Sequence, residues 1–286
     1  MKYDVINDLL MVKKMLNITD EKLSSELLIS RSTLNRWING KSEISNRSIK
    51  GIYEYIYSKN IDVNKIKSQL YLEEYSKENE IVLFHGSKTG IEGNIDLNKT
   101  KINNDFGQGF YCGETFEQAA MFVSSYSTSS IYIIKFKSKN LKVLKFDVDT
   151  KWMFAIAYYR GRLDEYKDSK VIKEIDKEVK DADYIIAPIA DNKMFSIISN
   201  FIDGEITDEQ CRHSLSATDL GYQYIFISNK AIDNLGILSN CYITEKEKED
   251  YLKSRETSIK LGNDKVKAAR IKYARIGKYI DDIMGE

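Results

Sequence analysis

A four-residue apolar run, Ile81-Val82-Leu83-Phe84, ends in His85-Gly86-Ser87, and no other stretch constrains the fold as much. The run is too short for an ordinary helix and reads as a buried strand. A histidine at the end of such a strand can aim its ring into a cleft, and the glycine beside it lets a ligand approach the backbone. Some twenty residues on, Phe106-Gly107-Gln108-Gly109-Phe110-Tyr111 again combines close approach with aromatic surface. The chain has only two histidines, His85 and His213. A strand that ends in a turn, with His85 held by a structural hydrogen bond, accounts for the same residues. The pattern alone leaves both readings open.

A length of 286 residues accommodates one large domain or two modest ones. The formal net charge is zero, so no global field marks the chain as a nucleic-acid binder, although local patches are possible. Cys112, Cys211 and Cys241 form no CxxC pair and no metal-ligand spacing, so no metal is expected. An odd number of scattered cysteines suits a reducing compartment. The sequence offers no apolar span long enough for a bilayer and no signal-peptide layout, which leads to the expectation of a cytoplasmic protein without a membrane partner.

Three parts are expected along the chain: residues 1–75, 80–240 and 244–286. The first is helical in pattern. Thr19-Asp20-Glu21-Lys22 has the composition of a helix start, with an N-cap candidate ahead of acidic residues. Leu23, Leu27 and Leu28 then supply an apolar face. Ser30 or Ser32 can cap a second short helix through Asn39, and Gly40 supplies its stop. A further helix is expected from Asn46 to Tyr57. Two short helices joined by a tight turn describe a helix-turn-helix, the second helix presenting Arg31, Thr33, Asn35 and Arg36 outward as candidate nucleic-acid contacts. The stretch Ser30-Arg31-Ser32-Thr33-Leu34-Asn35-Arg36-Trp37-Ile38-Asn39-Gly40-Lys41 resembles the phage-repressor-like helix-turn-helix family. That resemblance implies DNA as a partner through residues 19–41; a helical module for protein contacts is the alternative.

In the second part, strands are expected at Ile81–His85, Ile131–Phe136, Lys142–Phe146, Tyr184–Ala187 and Tyr222–Ile227, with helices at Phe116–Tyr126 and Thr150–Arg160. The irregular alternation favours an α+β domain over a doubly wound parallel sheet. In the last part Val266, Ala269, Tyr273, Ile276, Ile280 and Ile283 recur at spacings of three and four. They predict one amphipathic helix whose remaining faces are basic. Packing on its own domain, docking a partner chain and lying along nucleic acid are all open to such a helix.

Five landmarks then occur in order: Leu83-Phe84-His85-Gly86-Ser87, Asp105-Phe106-Gly107-Gln108-Gly109-Phe110-Tyr111, Glu117-Gln118-Ala119, Asp183 to Asn192, and Gln223-Tyr224-Ile225-Phe226 ahead of Lys230-Ala231. Together they resemble the His-Tyr-Glu class of ADP-ribosyltransferases, the group of diphtheria toxin and the poly(ADP-ribose) polymerases. More narrowly, residues 81–238 resemble a bacterial family of predicted ADP-ribosyltransferases long catalogued as a domain of unknown function. The resemblance implies a split-sheet α+β fold that takes NAD+ as substrate. It implies that His85 bonds the adenosine ribose, that the Gly86 backbone meets the nicotinamide carboxamide, and that Ser87 contacts the adenosine side. Gly109 and Phe110 lead into Tyr111, which would stack on nicotinamide, and Phe122 holds the spacing of a second aromatic. A cationic ring between two aromatics gains roughly 0.5–2 kcal/mol per face.

Two positions depart from the class. Ala119 stands where the polymerases carry a serine, and Gln223 stands at the catalytic glutamate. Glutamine can bond a ribose hydroxyl but brings no charge and is no base at neutral pH. Asp183 and Asp191 are candidates for the absent carboxylate, each also readable as a turn residue. Arg160 is a candidate for the pyrophosphate. The resulting expectation is an intracellular mono-ADP-ribosyltransferase fused to a helix-turn-helix, the toxin of a toxin–antitoxin or phage-defence system, with an antitoxin protein as partner. A catalytically inactive, NAD-sensing transcriptional regulator is the alternative.

Overall fold

The structure is a computed structural model that describes residues 3–216 and 220–285, with residues 257–261 described by backbone alone. Five helices open the chain: α1 (Val5–Met15), α2 (Asp20–Glu26), α3 (Arg31–Ile38), α4 (Asn46–Ser58) and α5 (Val63–Tyr75). Their starts are written in hydroxyl side chains. Thr19, Ser30 and Ser45 accept bonds from the backbone N–H three residues on, satisfying donors that a helix leaves unpaired. Of the two serines able to cap α3, Ser30 does so. Gly40, at φ +64°, ends the recognition segment in the left-handed region. Leu9, Leu23, Leu34, Trp37, Ile52, Tyr53 and Ile56 form the core of this unit.

The rest is a mixed α+β unit around a seven-stranded sheet of order β4-β5-β6-β2-β1-β3-β7. The strands are β1 (Glu80–Ser87), β2 (Phe110–Gly113), β3 (Ser130–Lys137), β4 (Val143–Lys145), β5 (Tyr184–Pro188), β6 (Tyr222–Phe226) and β7 (Leu235–Cys241). All neighbours are antiparallel except β4 and β5. The five expected strands are present within two residues at each end, and β2 and β7 join them. The ladders are uneven. β1 pairs with β3 over eight residues, whereas β1 and β2 share the single registered pair Phe84–Gly113. In backbone pairing the sheet is therefore two halves, β4-β5-β6-β2 and β1-β3-β7, with one narrow join, and a shared apolar cluster packs across it.

Strand alternation sorts side chains onto two faces. On one, Val82 and Phe84 pack against α6 (Phe116–Val123), while Ile185, Ala187 and Ile225 pack with α7 (Thr150–Tyr159), α8 (Lys170–Asp181), α9 (Asn192–Ile202) and α10 (Asp208–Ser216). On the other, Leu83, Phe110, Cys112, Tyr132, Phe136 and Phe226 form a separate cluster with α11 (Asn229–Ile232). Helix α6 opens on a reciprocal capping box of Thr115 and Gln118.

The C-terminal seam is not one helix. Helix α12 (Glu245–Lys272) ends at Tyr273, and α13 (Ile280–Met284) follows a turn in which Arg275 and Gly277 both have positive φ. Val266 and Ile280 are buried in the main core, but Ile276 lies in the turn and is exposed. The three- and four-residue spacing continued across a chain reversal, so the period alone did not reveal the break. The helix docks on its own chain: Tyr251 meets Phe116 of α6, and Gln210 of α10 donates to the Arg270 carbonyl. It thus runs from one half of the sheet to the other. Among the described residues no helix is long and apolar enough to cross a membrane.

Candidate functional site

His85, Tyr111 and Gln223 lie on β1, β2 and β6, three adjacent strands, at the narrow join. The β1–β2 ladder stops at Phe84, and beyond it Gly86 and Ser87 pair only with β3. His85 bridges the opening. Its Nδ1 lies 2.7 Å from the carbonyl oxygen of Tyr111, and a carbonyl only accepts, so Nδ1 carries the proton. The ring stacks on Phe110 at 4.2 Å between centroids. Burial pushes its pKa down to about 4. The imidazole is therefore neutral near pH 7, and its Nε2 is a lone-pair acceptor.

Tyr111 and Gln223 leave the opposite sheet face, toward α6 and α7. The Tyr111 hydroxyl accepts from the Phe106 N–H at 3.1 Å and donates to the Gly107 carbonyl at 2.9 Å. It thus fastens the loop that precedes β2, and burial raises its pKa. Gln223, 8% exposed, donates from Nε2 to Asp105 Oδ2 at 3.0 Å and to the Pro188 carbonyl at 3.4 Å. Asp105 is itself buried and paired through Oδ1 with Nε and Nη2 of Arg160. Arg160 also donates to the Ala190 carbonyl at 2.8 Å and lies over the Phe195 ring.

Other expected residues have different surroundings. Phe110 is buried beneath His85, and the Ser87 hydroxyl accepts from the Gly90 N–H at 3.1 Å. A Cβ at Gly86 would stand 2.7 Å from the Ala119 carbonyl, and one at Gly109 would stand 2.8 Å from Ile225, so both glycines admit close-packed neighbours. Phe122, 58% exposed, lies beside Gly86 on α6. Neither Asp183 nor Asp191 reaches Gln223. Asp183 accepts from the Lys142 N–H and the Ser228 hydroxyl, and Asp191 caps α9. The carboxylate beside the glutamine belongs to Asp105, whose contact bridges 118 residues of sequence and follows no local spacing. His213 stacks on Tyr273 and pairs with Glu209, away from this cluster. No group of His, Cys, Asp or Glu among the described residues is arranged to hold a metal.

A second polar surface lies on α3. Leu34 and Trp37 face the core, and Arg31, Ser32, Asn35, Arg36, Asn39 and Lys41 line one open depression. Thr33 is half-buried, its hydroxyl 2.8 Å from that of Ser30 at the helix cap. Ser32, Asn39 and Lys41 extend the face expected from sequence; Ser32 and Asn39 share the helical phase of Asn35 and Arg36, and Lys41 lies past the helix end.

A helix-turn-helix family model matches residues 10–53. The model of a family described as a protein of unknown function, DUF3990, matches residues 81–237. No curated protein and no solved structure matches the chain. The second family match covers more than half of the 286 residues and contains every strand from β2 to β6 together with His85, Tyr111 and Gln223; the chain belongs to the DUF3990 family of proteins of unknown function, and carries a helix-turn-helix at its N-terminal end.

Proposed function

We propose that this protein is an NAD+-dependent mono-ADP-ribosyltransferase with a split-sheet transferase fold. The observation that carries the reading is the opening between β1 and β2, where His85, Tyr111 and Gln223 stand on neighbouring strands with a glycine at the edge. The neutral His85 offers Nε2 to a ribose hydroxyl. The Tyr111 ring and the Gly86 edge receive nicotinamide, and Gln223 Oε1 accepts from the 2′-hydroxyl of the nicotinamide ribose. The bond from C1′ to the nicotinamide nitrogen breaks, and its electron pair leaves with nicotinamide, which becomes neutral. The cationic C1′ takes a lone pair from the acceptor, whose proton passes to solvent. Orientation of the ribose in the transition state is the protein's contribution to rate. With water as acceptor the same site is an NAD+ hydrolase.

The α3 face fits DNA: arginines for phosphate and Asn35 for a base edge. A DNA-binding transferase of this kind suits the toxin of a toxin–antitoxin or phage-defence system, regulating its own operon and restrained by an antitoxin protein. The test is incubation of labelled NAD+ with whole-cell lysate, fractionated into protein, DNA and RNA, beside a His85→Ala control. Label in one fraction with the intact protein alone identifies the acceptor class. NAD+ binding with neither transfer nor nicotinamide release refutes the enzyme and leaves the NAD-sensing regulator.

A further inference from the structure

Gln223 has no charge of its own, yet its amide is held in one orientation by a charged neighbour. We propose that Asp105 is the positioning residue of this site: it holds Gln223 as a one-sided acceptor, so that the pair replaces a single carboxylate. The proposal rests on the transferase reading.

A glutamine side chain is nearly symmetric in shape, and either end can face the cleft unless its partners choose. Here both groups beside Nε2, Asp105 Oδ2 and the Pro188 carbonyl, are acceptors. Only an NH2 fits between them, and the carbonyl Oε1 is turned the other way. The Pro188 contact, at 3.4 Å, is too long to fix the choice alone. Asp105 decides it, and hydrogen bonds in series strengthen one another, so a bond to a buried carboxylate makes the far oxygen a better acceptor.

The carboxylate is built for this division of labour. Arg160 takes Oδ1 and Gln223 takes Oδ2. Arg160 is fixed in turn by the Ala190 carbonyl and the Phe195 ring, and the backbone next to Asp105 is fastened by the Tyr111 hydroxyl. An asparagine at 105 would behave differently. Its one oxygen would go to Arg160, and its NH2 would face the glutamine, which must then invert and present a donor to the cleft. A carboxyl at 223 facing an asparagine at 105 restores an acceptor.

The test uses the full-length protein and nicotinamide release from NAD+, with thermal melting as the control for folding. Asp105→Asn should lower kcat about 10- to 100-fold while KM for NAD+ changes less than threefold, because the affected bond matters in the transition state. The double variant Asp105→Asn/Gln223→Glu should recover at least tenfold of that loss. Gln223→Glu alone puts two carboxyl groups about 3 Å apart, a pair that retains a shared proton. The ionisable groups around it are Asp105, Arg160 and Tyr111, and the last stays protonated. Its rate should therefore acquire a pH dependence between pH 5 and 8 that wild type and double variant lack. An Asp105→Asn rate within twofold of wild type, or a folded double variant as slow as the single one, overturns the pairing while the transferase stands. A wild type that releases no nicotinamide removes the transferase reading and the pairing with it.

Discussion

His85 couples the stability of the narrow join to pH, and the size of the coupling follows from its surroundings. In the unfolded chain a histidine takes up a proton near pH 6.5, whereas in the fold His85 does so only near pH 4. Between those values the unfolded state binds more protons, so stability falls as pH drops from 6.5 to 4 and this contribution is flat outside that window. The gap, at about 1.4 kcal/mol per pH unit, amounts to roughly 3 kcal/mol for this one group. Carboxylates titrate over part of the same range, so the measurement is a difference. His85→Gln keeps an N–H for the Tyr111 carbonyl but does not titrate. Urea unfolding of both proteins from pH 7.5 to 3.5, followed by far-ultraviolet circular dichroism, should give curves that diverge below pH 6.5. At pH 4 the wild type should have lost about 3 kcal/mol more than the variant, each relative to its own value at pH 7. Parallel curves across the window would show that the ring is hydrated and readily protonated in the fold. The assignment of Nε2 as a standing acceptor would then be wrong.

Two further outcomes are expected. Lys67→Met should destabilise the protein by about 3–5 kcal/mol in thermal or urea unfolding, because it strands the buried Asp8 carboxylate that Lys67 meets at 2.8 Å; Asp8→Asn/Lys67→Met should recover most of that loss. On a duplex selected from random sequence, Arg31→Ala and Arg36→Ala should weaken binding evenly across sequences and each lower the log–log salt slope by about 1, whereas Asn35→Ala should relax one base position, as measured by fluorescence anisotropy.

What was legible in the sequence was local. The caps at Thr19 and Ser30, the stop at Gly40 and the strand that closes on His85 each depend on a few adjacent residues, and each is present. Strand β2 is four residues long and carries its glycines for packing, so it has too little periodic signal to be read as a strand. Strand β7 contains Gly236 and buries the polar Ser239 and Asn240, which hides its apolar face. Asp105 was visible as a residue but not as the neighbour of Gln223. That contact depends on the loop fastened by Tyr111 and on Arg160 from the end of α7, and both are tertiary. Asp183 and Asp191, the carboxylates the sequence offered, stand instead at a strand edge and at the N-cap of α9, where nearby N–H and hydroxyl donors engage them.

The two halves of the sheet are unequally tied to the helix-turn-helix. Tyr53 of α4 stacks on Tyr242, Asn64 of α5 donates to the Tyr242 carbonyl, and Lys67 reaches Ser239 of β7. Tyr71, Leu72 and Tyr75 of α5 pack on the face that holds Val82 and Phe84. The helix-turn-helix unit is therefore joined to β1-β3-β7, the half that carries His85. Gln223, Asp105 and Arg160 belong with the other half. The backbone ladder between them is the single Phe84–Gly113 pair, but side chains cross more broadly: the His85 bond to Tyr111, the bond from Gln118 to the Leu220 carbonyl, Phe136 against Tyr184 and Phe226, and helix α12 lying over both. Under the transferase reading, a dinucleotide held by His85 at one end and Gln223 at the other would add a tie across the strands that β1 and β2 pair at one position only. On that reading, NAD+ at a hundred times Kd should stabilise the protein by about 2.7 kcal/mol, read as a shift in thermal or urea unfolding.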